Sequence, residues 1–307
     1  MEHRSNTKCL TGCYRGPYVV YQSSGSVPTR WTGESAVANE IFDLTGRVAV
    51  VTGASGYGIG ATSAELLARH GADVVICSRT ETELKATAER IEEATGSRCL
   101  PVPTNVKHEE AVANLVQRAA DEFGRIDILV NSAGGNRLMP LSQMPTKAWD
   151  AAFDLNVKAA YLCTREAGRH FLAQRSGVVV NISSGASLTG ILGGAQYSAA
   201  KSALNMFTTV SAAEWGRFGV RINCIAVGLI VSEKSDEGQK AAGIDSEAIA
   251  ATIPLRRVGR PIDVANVVHF LVSDAAAYVT GQTFAVNGGP ILGGIPEMFI
   301  DQADAVV

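Results

Sequence analysis

The sequence predicts an α/β fold, a doubly wound parallel sheet of about seven strands with helices on both faces. Three observations carry this expectation. From Thr45 onward, short runs rich in Val and Ile alternate with longer amphipathic stretches. The short runs are nearly continuous in hydrophobicity, the pattern of strands covered on both sides. A glycine-rich segment, Thr52-Gly-Ala-Ser-Gly-Tyr-Gly-Ile-Gly60, joins the first run to the first amphipathic stretch. No Pro/Gly-rich linker and no internal repeat interrupts residues 44–289, so a single domain is expected there.

The elements follow in order. Val48–Thr52 reads as the first strand and Gly58–His70 as the first helix. Asp73–Cys77 is the second strand, and Thr80 with Glu83, at capping-box spacing, opens a helix over Glu81–Thr95. Cys99–Val102 and Glu109–Phe123 form the third strand–helix pair, and Ile126–Asn131 and Lys147–Leu172 the fourth. Val178–Ile182 and Gln196–Phe218 form the fifth. Arg221–Ile225 is the sixth strand, and Ile262–Val272 is a helix headed by Pro261, whose missing N–H costs little at that position. Thr283–Val286 completes the sheet.

Three segments stand outside this rhythm. Residues 1–43 are polar and turn-rich (Gly12, Gly16, Pro17, Pro28), an N-terminal extension expected to be largely irregular. Residues 229–253 are polar and charged, with Glu233-Lys-Ser-Asp-Glu-Gly238, and leave the end of a strand. Ligands bind outside such strand ends, so this segment is read as a substrate lid, with a merely solvated loop as the plainer alternative. Residues 290–307 form a C-terminal extension whose Ile291, Leu292, Met298 and Phe299 could cover a neighbouring subunit or pack on their own surface.

Composition excludes several functions. The chain has 307 residues, 46% hydrophobic and 19% charged, with a net charge of −3 and no basic stripe, which argues against a nucleic-acid partner. The apolar runs are strand-sized and fall far short of the roughly 18 residues of a membrane span. No secretory h-region opens the chain, so a cytoplasmic location is expected. Cys77, Cys163 and Cys224 sit in apolar runs as small hydrophobes. Cys9 and Cys13 lack the partners that would complete a zinc site, so no metal is expected.

The chemistry concentrates around Tyr197 and Lys201, four residues apart and therefore on one helix face. A cation beside a phenol favours the phenolate and lowers a pKa otherwise near 10, which suits proton transfer in carbonyl–alcohol chemistry. The pair alone also fits a core aromatic beside a solvated lysine, and only context separates the two. The glycine segment supplies part of that context. Gly53, Gly58 and Gly60 permit a tight turn and close approach of helix N–H groups to a pyrophosphate. At the end of the second strand, where an acidic residue would bind ribose hydroxyls, the chain has Ser78 and Arg79. An arginine pairs with a 2′-phosphate, so NADP(H) is favoured over NAD(H).

Assembled in order, these residues resemble the short-chain dehydrogenase/reductase family from about Leu44 to Gly289. Asn131-Ser-Ala-Gly134 is similar to its fourth-strand signature, and Arg257-Val-Gly-Arg-Pro261 and Val286-Asn-Gly-Gly289 to its C-terminal ones. The resemblance implies a single-domain Rossmann-type fold and a carbonyl–alcohol oxidoreductase. It implies Asn156, Ser184, Tyr197 and Lys201 as the catalytic set. Tyr197 would exchange the proton, Ser184 would hold the substrate oxygen, Lys201 would also bind the nicotinamide ribose, and Asn156 would order a water. Cofactor contacts are implied for Gly53, Ser55, Tyr57, Gly58, Ile59, Gly60, Ser78, Arg79, Asn105, Val106, Asn131, Ala133 and Gly134, for Tyr197 and Lys201, and for Gly228, Ile230 and Ser232 near the nicotinamide carboxamide. Ser184 rather than Ser183 keeps the family's 13-residue spacing to the tyrosine.

Four departures mark this chain. Its glycine loop is one residue longer than Thr-Gly-x3-Gly-x-Gly, Asn105 replaces an aspartate, Val227 a proline and Ser132 an asparagine. The expected substrate is a small carbonyl or alcohol, with a 3-oxoacyl thioester the first expectation and a sugar alcohol, steroid or other secondary alcohol the rival. An enoyl-thioester reductase is disfavoured by the intact Ser-Tyr-Lys pattern, and a non-catalytic dinucleotide-binding regulator by the intact catalytic set. The family's habit implies a homo-oligomer, tetramer or dimer.

Overall fold

In the computed structural model the residues described are 40–232 and 246–289. Each expected strand forms, with ends that match or are displaced by no more than two residues. The strands are β1 (Val48–Thr52), β2 (Asp73–Ser78), β3 (Cys99–Pro103), β4 (Ile128–Asn131), β5 (Gly177–Ser184), β6 (Val220–Val227) and β7 (Thr283–Val286). They pair in the order β3-β2-β1-β4-β5-β6-β7, every pairing parallel. The order runs outward from β1 to β3, then returns to the other side of β1 with β4. The carboxyl ends of β1 and β4 therefore part their connections to opposite faces and open a crevice, the place where doubly wound sheets bind ligands.

Alternate residues of each strand feed two cores. Ala49, Val51, Val74, Ile76, Val180 and Ile182 pack with α1 (Ile59–Arg69), α2 (Glu81–Thr95) and α9 (Pro261–Val272). Val48, Val50, Val75, Val179 and Ile222 pack on the other face with α3 (Glu109–Phe123), α5 (Ala159–Gln174) and α7 (Ala195–Trp215). Each buried Val, Leu or Ile contributes about 1.5–3 kcal/mol of transfer free energy. This two-sided burial explains why the strand runs read as continuously apolar.

Two local expectations need correction. The stretch Lys147–Leu172 is not one helix but α4 (Thr146–Phe153), a π-helical turn over Asp154–Lys158, and α5. A π turn inserts an extra residue into a helix while leaving its apolar stripe readable, so periodicity did not reveal it. Thr80 does precede α2, but its hydroxyl makes no cap bond, so the spacing with Glu83 marks the helix start without forming the reciprocal box. At α9 the expected proline sits in the first turn, and the Asp263 carboxylate accepts the Arg260 backbone N–H at 2.7 Å.

Short helices α6 (Ala186–Thr189) and α8 (Ser246–Thr252), with 3₁₀ turns at Leu141–Gln143, Gly216–Phe218 and Asp274–Ala276, complete the described elements. The N-terminal extension before Glu40, the charged centre of the expected lid and the C-terminal extension lie outside the described residues. No helix among the described residues is long and apolar enough to cross a membrane.

Candidate functional site

Tyr197 and Lys201 project from the first turns of α7, with Lys201 Nζ 5.8 Å from the centroid of the Tyr197 ring. Lys201 is 4% exposed and runs under the end of β5, where Nζ donates to the Ile182 carbonyl at 2.7 Å. Burial pulls its pKa down to about 8, opposed by the neighbouring Cys224 thiol. Ser183 is not free to meet a ligand, because its hydroxyl is buried and donates to the Lys201 carbonyl at 3.2 Å. Ser184 ends the strand beside the phenol, and its Oγ also accepts the Ala186 N–H at 3.2 Å.

The expected depression of the Tyr197 pKa is not what the structure gives. The phenol is pushed up, first by its burial, with a hydrogen bond to Ser184 opposing. Desolvation outweighs the Ser184 hydrogen bond, and the Lys201 ammonium is directed at the Ile182 carbonyl. Tyr197 is thus held protonated, ready to donate.

Asn156 occupies the π turn and is 1% exposed. Its Nδ2 donates to the Gly135 and Ala152 carbonyls at 3.0 and 2.9 Å, and its Oδ1 accepts the Gly135 N–H at 3.1 Å. The side chain therefore pins the loop after β4. A Cβ at Gly134 would lie 2.9 Å from Asn156 Oδ1 and 3.2 Å from Lys201 Nζ, so this backbone passes between the two groups only as glycine. The fold thereby brings Asn156, Lys201, Tyr197 and Ser184 together from the π turn, α7 and the end of β5.

At the crevice lies a cavity of roughly 410 Å³ whose walls include Gly53, Ser55, Ser78, Arg79, Asn105, Val106, Ala133 and Gly134. Its residues suit a dinucleotide. A Cβ at Gly60 would stand 2.5 Å from the Gly53 carbonyl, so helix α1 abuts the strand end only because glycine is there. Gly58 precedes α1, and no side chain caps that helix, which leaves the N–H groups of its opening turn, from Ile59 and Gly60 on, for an anion. Ser78 Oγ is buried without a partner among the described residues, and Arg79 is exposed on the wall. Asn105 Oδ1 accepts the Lys107 N–H at 3.3 Å, a weak bond that still leaves the oxygen a second lone pair.

The other residues expected to meet the cofactor are held by contacts within the fold. The Asn131 side chain is turned into the sheet, where its Nδ2 donates to Thr164 Oγ1 at 3.1 Å and Asn181 Oδ1 at 2.9 Å. Asn181 in turn donates to Thr208 on α7 at 2.9 Å. The fold thus satisfies the Asn131 Nδ2, while its Oδ1 is buried without a partner among the described residues. Ile230 forms a parallel bridge with Gly259, which sets it against a different, apolar cavity with Leu255 and Val286. Gly228 donates to the Val286 carbonyl at 2.9 Å, and a Cβ there would meet Asn287 Cα at 2.7 Å. Ser232 stands at the edge of the described residues. Tyr57 is 58% exposed and lies under the Arg90 guanidinium, 4.9 Å away.

Sequence reasoning missed two supports. Thr52 Oγ1 accepts both the Ser132 and Ala133 N–H groups at 3.1 Å, which fixes the loop after β4 to the end of β1. Gln196, at the start of α7, is 3% exposed and donates to the Arg137 carbonyl at 2.6 Å. The strand-terminal position of Thr52 was a usable signal, whereas nothing in the sequence marked Gln196 as inward.

With this geometry in place, comparison with known proteins fixes the class. The family model described as enoyl-(acyl carrier protein) reductase matches residues 53–290. A 3-oxoacyl-[acyl-carrier-protein] reductase of Synechocystis sp. is 40% identical over 81% of this chain and 98% of its own. The cis-4-hydroxycyclohexanecarboxylate dehydrogenase of Sinomonas cyclohexanicum is 39% identical over 79% of this chain and 96% of its own. The crystal structure of L-sorbose reductase from Gluconobacter frateurii, complexed with NADPH and L-sorbose, superposes with a TM-score of 0.77 at 31% identity, covering 83% of this chain and 99% of that one. The chain belongs to the short-chain dehydrogenase/reductase family. It is an oxidoreductase of the CH–OH/C=O type, in a family whose members use NAD(P)(H).

Proposed function

We propose that this enzyme is an NADP(H)-dependent reductase of a carbonyl flanked by an apolar group, with a 3-oxoacyl thioester the leading candidate. The observation that carries the reading is the Tyr197 phenol, hydrogen-bonded to the Ser184 hydroxyl and one turn from Lys201. A phenol so held donates its proton to a carbonyl oxygen as negative charge develops there. Ser184 orients that oxygen by hydrogen bonding. Lys201 stabilises the resulting phenolate and returns its proton, with Asn156 fixing the loop beside it. A bound nicotinamide cofactor would supply the hydride. Arg79 and Ser78 would hold its 2′-phosphate, and the glycine turn with the start of α1 its pyrophosphate.

The substrate preference is supported by the loops that leave β4 and β5. They carry the exposed Leu138, Leu188, Ile191 and Leu192. Their backbone groups are used on one another, as in the Met139 N–H donated to the Gly193 carbonyl at 2.8 Å. Such a rim favours an acyl chain or carbocycle over a polyol, which needs convergent polar groups. The retained Ser184, Tyr197 and Lys201 favour a carbonyl over an enoyl substrate. We further propose residues 44–289 as one catalytic domain, with residues 229–253 as lid.

A panel of 3-oxoacyl thioesters, cyclic ketones and ketoses, each assayed with NADPH and NADH, tests the reading. Turnover of the thioesters or cyclic ketones with NADPH supports it. A preference for ketoses would overturn the substrate reading, and tight nucleotide binding with no turnover of any class would indicate a regulator.

A further inference from the structure

We propose that Thr87 and Arg90 on α2 form a clamp on the lengthened glycine loop, and that affinity for NADP(H) and NAD(H) alike depends on it. The proposal rests on the nucleotide reading of the adjoining cavity. A residue added to a loop adds backbone freedom that must be removed before the loop can present fixed amides to an anion. α2 removes that freedom at Gly56, which lies within the lengthened stretch. Thr87 is 3% exposed, and its hydroxyl donates to the Glu83 carbonyl at 2.7 Å. That donation fixes the hydroxyl rotor, and Oγ1 accepts the Gly56 N–H at 2.9 Å.

Arg90 takes the other side of the same residue. One guanidinium nitrogen donates to the Gly56 carbonyl at 3.0 Å. Another pairs with Glu65 on α1, which also pairs with Arg69 at 2.7 Å. The guanidinium plane covers Tyr57. One side chain thus ties α1, α2 and the loop together, using the planar fork that distinguishes arginine from lysine. Both backbone groups of Gly56 are consumed by α2, so the Gly56 amide is withdrawn from the phosphate. Recognition then falls to the uncapped opening turn of α1, whose direction the clamp sets.

The test uses Arg90→Ala, Arg90→Lys and the near-isosteric Thr87→Val in the full chain. NADPH and NADH are titrated by fluorescence, and amide exchange is followed without nucleotide. Loss of a charged hydrogen bond that orders the site should raise both Kd values about tenfold in Arg90→Ala, with their ratio unchanged. Arg90→Lys should fall between, and exchange at Gly56 and Tyr57 should accelerate in Arg90→Ala and Thr87→Val. Kd values within about twofold of wild type, or unchanged exchange, overturn the clamp. A changed NADPH/NADH ratio overturns it too, by making Arg90 a 2′-phosphate contact. If the wild-type chain binds neither nucleotide, the nucleotide reading falls with it, an outcome distinct from normal wild-type binding with unaffected variants.

Discussion

Tyr197 is the residue on which the reading turns, and its removal should be informative. Tyr197→Phe is expected to lower turnover of a confirmed substrate at least about 10²-fold while leaving the nucleotide Kd nearly unchanged, the scale of lost general acid catalysis. Stopped assays and fluorescence titration check both halves. Lys201 makes a second prediction, on stability. Its folded pKa of about 8 lies below the ordinary 10.5, so burying its charge opposes folding fully below pH 8 and ceases to do so above 10.5. Wild-type stability should therefore rise relative to Lys201→Met as pH goes from 8 to 10.5, followed by denaturant midpoints across that window. A flat difference would reject the buried ammonium. At this scale the chemistry was legible, because residue type and spacing define the tyrosine, lysine and serine. The direction of the phenol shift was not, nor the inward turn of Asn131 and Gln196, because both depend on burial, which spacing does not encode.

Elements were legible wherever one face is apolar throughout. β1 and β7 have their expected ends, as do α2 and α3, since turn residues or glycines bound each of them. The π turn was hidden, and it matters, because it aims Asn156 at the loop over Lys201. The contact between α5 and α7 offers a test of packing against propensity. A Cβ at Gly168 would stand 2.3 Å from the Trp215 ring. Alanine favours a helix by about 1 kcal/mol over glycine, yet overpacking costs about 1–3 kcal/mol. Gly168→Ala should therefore lower the denaturant midpoint rather than raise it.

At the scale of the whole molecule, α5 and α7 turn Tyr161, Met206 and Val210 outward, 41%, 62% and 49% exposed. Met206 and Val210 share one face of α7, and such an apolar face fits the homo-oligomer the family resemblance implies. Val210→Glu is expected to shift the sedimentation coefficient towards the monomer while the circular dichroism stays unchanged. Strand–helix alternation foretold a parallel, doubly wound sheet but not its strand order, because such sheets adopt more than one order, and no pattern of one chain read alone encodes an oligomeric state. That order has a consequence for biosynthesis. β1, whose five residues are all buried, lies between β2 and β4. A nascent chain that has emerged only as far as Pro103 can pair β1 on one side alone. Until β4 follows, some 25 residues later, its other edge is an open, Val-rich template. Translational pausing or truncation in that interval should be the point at which this protein is most prone to aggregate or to recruit a chaperone.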